Sequence, residues 1–264
     1  MNHTFKLMML LAALFSFASC SKNNDIGPEQ NAEKIRIDEQ KTASGVTVTL
    51  WADKKDLTVA WNRLYVSLKN TEGAAITNAV VSYTPVMDMT SMEHASPVEQ
   101  PLYSAAQALY EGAVVFSMPS GTMGSWTLTV SVNNEPVVFH IEVKAAPANT
   151  KHTTTLVGTD GISYLVSLVQ PLTPKTGMND LEILINRRQD MMNFPPVEDF
   201  NVELTPEMPS MGHGSPNNEN PVHTGRGHYS GKVNFTMTGD WRLHFRLKRG
   251  NTVIMEDAAL DLLF

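Results

Sequence analysis

One cysteine, Cys20, stands in the whole chain, so no disulfide can close within it. Long apolar runs are equally scarce. Leu7–Phe17 is too short to span a bilayer as a helix, and no later run is long enough either. Basic residues are outnumbered. Beyond the first twenty positions, which hold only Lys6, nineteen lysines and arginines face twenty-seven acidic residues, a formal charge of −8. A surface of that sign argues against nucleic acid as a partner and against electrostatic binding to anionic headgroups. Catalytic signatures are missing as well. There is no G-x-S-x-G turn, no phosphate loop and no H-E-x-x-H helix, and the carboxylates are scattered without pairing. The expectation is a protein that is not an enzyme. Helical periodicity is absent too, beyond a turn near Ser104–Leu109.

The N-terminus is what makes the lone cysteine informative. Lys6, the apolar run to Phe17 and the small residues Ala18 and Ser19 read as a secretory leader. Phe17-Ala18-Ser19-Cys20 resembles the lipobox of bacterial lipoproteins. That resemblance implies cleavage before Cys20, lipidation of Cys20 and a membrane anchor made of lipid alone. The other reading is an ordinary secreted protein with a stray thiol. Residues 21–40 are polar, lack aromatics and include Gly27-Pro28, the composition of a flexible tether. The leader and tether resemble those of Bacteroidetes lipoproteins, which implies the cell envelope, on the periplasmic or the outer side of the outer membrane.

What fills the rest is a duplication. Met89-Thr-Ser-Met92-Glu-His94-Ala-Ser-Pro97 returns as Met208-Pro-Ser-Met211-Gly-His213-Gly-Ser-Pro216. Tyr110-Glu-Gly112-Ala-Val-Val-Phe116-Ser-Met118 returns as Tyr229-Ser-Gly231-Lys-Val-Asn-Phe235-Thr-Met237, each followed by Gly-x-Trp at Gly124–Trp126 and Gly239–Trp241. Upstream, Leu64–Leu68 parallels Leu181–Ile185. The period is 119 residues, and the organisation expected is a leader over 1–20, a tether over 21–40, one domain over 41–144, a linker over 145–152 and a second domain over 153–264.

Alternation of period two supplies the secondary structure. Tyr229, Gly231, Val233, Phe235 and Met237 share one face, and Trp241, Leu243, Phe245 and Leu247 share another, with Arg242, His244, Arg246 and Lys248 opposite them. Trp126, Leu128, Val130 and Val132 repeat the rule in the first copy. The short link Thr238-Gly239-Asp240 is expected to make a hairpin. About seven strands in each copy predict an all-β protein of two tandem immunoglobulin-like β-sandwich domains.

The Met/His segments follow a strand and begin at Thr-Pro, and their prolines predict a stiff loop rather than an interior strand. Thioether and imidazole suit Cu(I), so Met89, Met92 and His94, and Met208, Met211 and His213, are the candidate metal ligands. Met118 and Met237 are expected near the ends of their strands, where they could close each site from beneath. The plainer reading is that methionine fills the core beside Trp126 and Trp241. For Met118 and Met237 it is the favoured one. Met87 breaks the match between copies, and reads equally as a spare ligand or a packing residue. His223 and His228 have no counterparts and read as solvent-exposed, the alternative being that either supplements the second site. His140, His152 and His244 fall on exposed or linker positions.

Pro-x-Met-x-x-Met-x-His, then Tyr-x-Gly-x-Val-x-Phe-x-Met and Gly-x-Trp, resembles the YtkA-like/FixH-like family of extracytoplasmic β-domains. The resemblance implies copper handling, with metal-efflux or oxidase-assembly proteins as partners and the six loop residues above as ligands. The second copy lies closer to the family pattern. The expectation is therefore a lipid-anchored protein that binds Cu(I) for handling or delivery. The alternative is a structural or interaction module of a cell-envelope complex that holds no metal.

Overall fold

The computed structural model describes residues 34–264, which form one compact unit. The leader, Cys20 and most of the tether lie outside the described residues. Every regular element among those described is a strand.

The first half contains β1 (Ile35–Lys41), β2 (Thr47–Ala52), β3 (Leu57–Thr58), β4 (Trp61–Lys69), β5 (Val81–Asp88) and β6 (Glu93–Ala95). It continues through β7 (Val98–Ser104), β8 (Leu109–Val115), β9 (Ser125–Val132), β10 (Glu135–Ile141) and β11 (Val143–Lys144). One sheet runs β1-β2-β4-β8-β7 and the facing one β10-β9-β5-β6, with β11 and β3 paired at the side. Between them lies a core that includes Leu50, Leu64, Tyr83, Met87, Phe116, Trp126 and Phe139. β1 begins inside the segment read as tether. It is an edge strand that leaves most of its side chains exposed, so its composition resembles a linker.

The second half repeats the plan with β12 (Thr153–Val157), β13 (Ser163–Gln170), β14 (Gly177–Arg188), β15 (Asn201–Met208) and β16 (His213–Gly214). Then come β17 (Glu219–Gly225), β18 (His228–Phe235), β19 (Asp240–Arg249), β20 (Thr252–Met255) and β21 (Leu260–Leu263). Its sheets are β12-β13-β14-β18-β17 and β16-β15-β19-β20, with β21 also on β19. Tyr164, Phe200, Tyr229, Phe235, Trp241 and Phe245 fill its core. The chain is thus an all-β protein of two immunoglobulin-like sandwiches.

The register reproduces the parallels seen in sequence. Leu64 stands opposite Gly112, and Leu181 opposite Gly231. Tyr110 donates its hydroxyl to the carbonyl of Ile76 and accepts from the amide of Ala79, at 3.2 and 2.8 Å. Tyr229 does the same with Val197 and Phe200, at 3.0 and 3.1 Å. A buried phenol pinning the connection between strands is a device familiar from immunoglobulin-like sandwiches.

Two expectations need correcting. Thr238-Gly239-Asp240 does not form a hairpin, because β18 and β19 belong to facing sheets and the link carries the chain across the core. Alternation shows which face is buried. It does not distinguish a hydrogen-bonded neighbour from a strand across the sandwich. The Thr-Pro segments are also strand: Pro85 lies within β5 and Pro206 within β15. In both cases the outer strand, β6 or β16, pairs only from the following residue onward. Proline there occupies an edge position, where its missing N–H is tolerated.

A third apolar cluster joins the halves. Trp61, Ala113 and Val115 from β4 and β8 pack with Leu165, Val169 and Leu184 from β13 and β14, and Phe194 covers the edge. The two five-stranded sheets therefore pack outer face to outer face, and β13 is buried on both sides over most of its length. The segment read as a linker is also tied down, with Lys151 bridged to Asp261.

His228, expected in solvent, sits in this junction. Its Nε2–H donates to Glu99 of the first sandwich at 2.7 Å and its Nδ1–H to Glu182 of the second at 2.8 Å. Trp61 donates its indole N–H to the other oxygen of Glu99 at 2.7 Å. Burial alone would lower the His228 pKa. The bonds to Glu182 and Glu99, and their charges, outweigh it and raise the value to about 9. The ring is therefore an imidazolium at neutral pH.

Candidate metal centre

The two histidines occupy equivalent places. β9, β5 and β6 set Trp126, Met87 and His94 side by side on the inward face, through the pairs Met87↔Trp126 and Met87↔His94. In the second sandwich Met208 pairs with His213, and the register Glu207↔Arg242 brings Met208 level with Trp241. Directly opposed residues on one sheet face hold their Cβ atoms about 4.5–5.5 Å apart. Each imidazole meets its tryptophan edge to face, His94 on Trp126 at 5.5 Å and His213 on Trp241 at 6.0 Å between centroids.

The imidazoles are held in one tautomer. His94 Nδ1 lies 2.8 Å from the carbonyl of Ala95, and His213 Nδ1 lies 2.9 Å from that of Gly214. A carbonyl only accepts, so Nδ1 carries the hydrogen and Nε2 keeps the lone pair. That tautomer, with the far nitrogen anchored to backbone, is the one in which imidazole binds a metal through Nε2. The tryptophans are fixed in turn, Trp126 donating to the carbonyl of Met118 at 2.9 Å and Trp241 to that of Met237 at 3.0 Å.

This register corrects the alignment of the methionines. The counterpart of Met208 is Met87, not Met89. Both belong to their cores, at 4 % and 0 % exposure. Met92 matches Met211, each two residues before its histidine and exposed at the loop tip, at 51 % and 61 %. Met89, partly buried against the first core, is left without a counterpart. The loop from Met87 to His94 is two residues longer than that from Met208 to His213, so an ungapped comparison slips by two positions. Met118 and Met237 lie beyond the ends of β8 and β18, in the crossing between sheets. Met118 is partly buried, and Met237 is more open.

The Gly-x-Trp motif follows from the same packing. A Cβ on Gly239 would fall 2.4 Å from the Met208 methyl, and one on Gly124 3.0 Å from that of Met87. Both glycines have positive φ, 137° and 148°. Gly239→Ala is expected to cost about 1–3 kcal/mol from overpacking and backbone strain. Gly121, with a similar φ and open space around it, provides the control that isolates the contact. Urea unfolding of the two variants should show Gly239→Ala as the more damaging; equal losses would mean that Met208 yields freely.

Among the described residues no group of three or more His, Cys, Asp or Glu side chains is placed to hold a metal ion. A metal here has to draw on thioethers, and the donor set of each site, one imidazole and nearby methionines, fits a soft monovalent ion. The remaining histidines offer nothing comparable. His223 is exposed against Tyr229, and His244 lies between Glu207 and Asp257 on the outer face.

The YtkA-like family model matches residues 162–246. That span runs from β13 into β19 and takes in Met208, Met211, His213, Met237 and Trp241. No curated protein matches the chain. Among solved structures, the Escherichia coli adhesin FdeC is 13% identical over 79% of this chain and 61% of its own, with a TM-score of 0.27. Yersinia pseudotuberculosis InvD is 14% identical over 78% and 53%, with a TM-score of 0.25. A conserved domain protein of Bacillus anthracis is 13% identical over 87% and 91%, with a TM-score of 0.26. The chain thus spans 61% and 53% of the length of the first two. No conclusion rests on likenesses of this size.

Proposed function

We propose that the chain is a lipid-anchored, extracytoplasmic protein with two YtkA-like sandwiches, each binding one Cu(I) through its histidine and the methionines around it. The observation that carries this reading is the twofold recurrence of an imidazole with Nδ1 tied to backbone, set beside a buried methionine and a tryptophan at the root of a methionine-bearing loop. His94 and methionines drawn from Met89, Met92 and Met118 hold one ion, and His213 and methionines drawn from Met211 and Met237 hold the other. Met87 and Met208 form the floor beneath them. Thioethers, unlike thiols, form no disulfides in the oxidising surroundings outside the cytoplasm, and Cys20 is read as the lipid-attachment residue. Ions held this way exchange readily and can be handed to an efflux or oxidase-assembly partner.

An anaerobic competition titration against a chromophoric Cu(I) chelator tests this. The protein is expected to take two equivalents. Replacing Met92 and His94 together removes one, and replacing Met211 and His213 removes the other. Stoichiometry unchanged by all four substitutions would leave the repeated loop as an interaction surface of an envelope complex.

A further inference from the structure

Building on the copper reading, we infer that the first site is completed from the second sandwich, with Met191 as an additional thioether ligand. A cavity of about 230 Å3 lies beside His94, and its lining includes Met89, His94 and Met118 of the first half and Leu165, Met191 and Phe194 of the second. Three methionines and a histidine therefore face one space; the first half supplies Met89 and Met118, and Met92, exposed at the loop tip, is not part of the lining. Three sulfurs and an imidazole make a full set for tetrahedral Cu(I). The exposed Arg188 and the hydroxyls of Ser117 and Thr155 share the lining; the guanidinium donates no electron pair, and the hard hydroxyl oxygens suit a soft Cu(I) ion less well than the thioethers do.

Met191 is held where it is by the chain around it. It lies between β14 and β15 in a turn organised by Asp190. That carboxylate accepts the amides of Met192 at 2.7 Å and Asn193 at 2.9 Å, and the Asn193 side chain at 2.6 Å. Such a side-chain-capped turn fixes the intervening residue. The Met191 carbonyl accepts the amide of Ala95, next to His94, at 2.8 Å. This bond ties the loop to β6 across the junction and sets Met191 beside the histidine. Preorganisation of this kind lowers the entropy lost on binding.

The cavity beside Trp241 is lined by Met208, Ser210 and Asp240 and does not include Met211, His213 or Met237. With its added donor the first site is expected to be the tighter of the two, its affinity depending on the sandwiches staying docked. This reverses the ranking that family likeness implies, because the likeness follows the repeat and Met191 lies outside it.

The test measures both Cu(I) affinities by chelator competition in the full protein, with Met191→Leu and, as a neighbouring control, Met192→Leu. Leucine conserves volume, so packing at the junction is kept. Met191→Leu is expected to weaken the tighter site by about tenfold or more, at least the scale by which supporting groups alter metal affinity. The weaker site and the Met192→Leu protein should be unchanged. With methyl-labelled methionine, the Met191 signal should shift on adding the first equivalent, together with those of Met89 and Met118. If the parent binds two Cu(I) and Met191→Leu changes neither affinity, or its methyl stays still while Met89 and Met118 move, the composite site is overturned and the copper reading stands. If the parent binds no Cu(I), the copper reading itself fails.

Discussion

Between about pH 6.5 and 9 the protein is expected to lose stability to urea, and the His228→Gln variant to lose almost none. The pKa of His228 is raised in the folded state, from 6.5 to about 9. A group raised in this way contributes fully below its unfolded value, and its contribution disappears as pH climbs through the folded one. At about 1.4 kcal/mol for each tenfold change in proton affinity, the full effect is roughly 3 kcal/mol. The groups that share its cleft are Glu99, Glu182 and Glu111 on the acidic side and Arg63 and Arg226 on the basic side. Glu99 has the opposite dependence. Burial would raise its pKa, but His228 holds it below the usual carboxylate range, so stability also falls as acid protonates it. The optimum therefore lies between the two limbs, in mildly acidic solution. Glutamine offers two N–H donors on a single nitrogen but carries no charge, leaving two carboxylates facing each other without a cation between them. The variant should be weaker than the parent near pH 6 and approach it near pH 9. Parallel curves for the two proteins would mean that the clamp does not hold the sandwiches together.

The second large effect separates core methionines from ligand methionines. Met208→Ala should cost about 2–5 kcal/mol, the usual range for emptying a buried methionine site. Met211→Ala should stay within about 0.5 kcal/mol, as exposed substitutions do. The two residues lie three positions apart, yet their exposures are 4 % and 61 %. Met87→Ala should match Met208→Ala, because the register makes them equivalents. A Met208→Ala protein that unfolds at nearly the parent's urea midpoint would refute the shift in alignment, and would return Met208 to the loop as a ligand alone.

Much of the fold could be read from spacing. The alternation from Trp241 to Lys248 and from Trp126 to Asn133 marks strands whose inward residues are buried as expected. The duplicated tyrosines and glycines fell into matching registers, since each copy repeats one packing problem. Pairing was harder to read. Phe235 and Trp241 enter the same core, their centroids 5.2 Å apart, from strands in opposite sheets, and alternation alone makes such strands look like a hairpin. Insertions inside a repeat hid the partnership of Met87 with Met208, although Thr84-Pro85-x-Met87 and Thr205-Pro206-x-Met208 carried that signal. His228 and Met191 were illegible for another reason. The carboxylates on His228 lie 46 and 129 residues away, and neither histidine nor methionine has a counterpart in the first copy. One local clue to the junction was present. Tyr164-Leu-Val-Ser-Leu-Val169 is apolar at nearly every position rather than at every second one, which marks a strand covered on both faces.

The back-to-back sheets also make the two halves depend on each other. A single sandwich that stays soluble alone keeps its outer face polar. Here that face carries Trp61, Ala113 and Val115 on one side and Leu165, Val169 and Leu184 on the other. Either half on its own would show water an apolar patch of the kind that promotes aggregation. Loss of either half would therefore compromise the other, so that the two histidine loops stand or fall together.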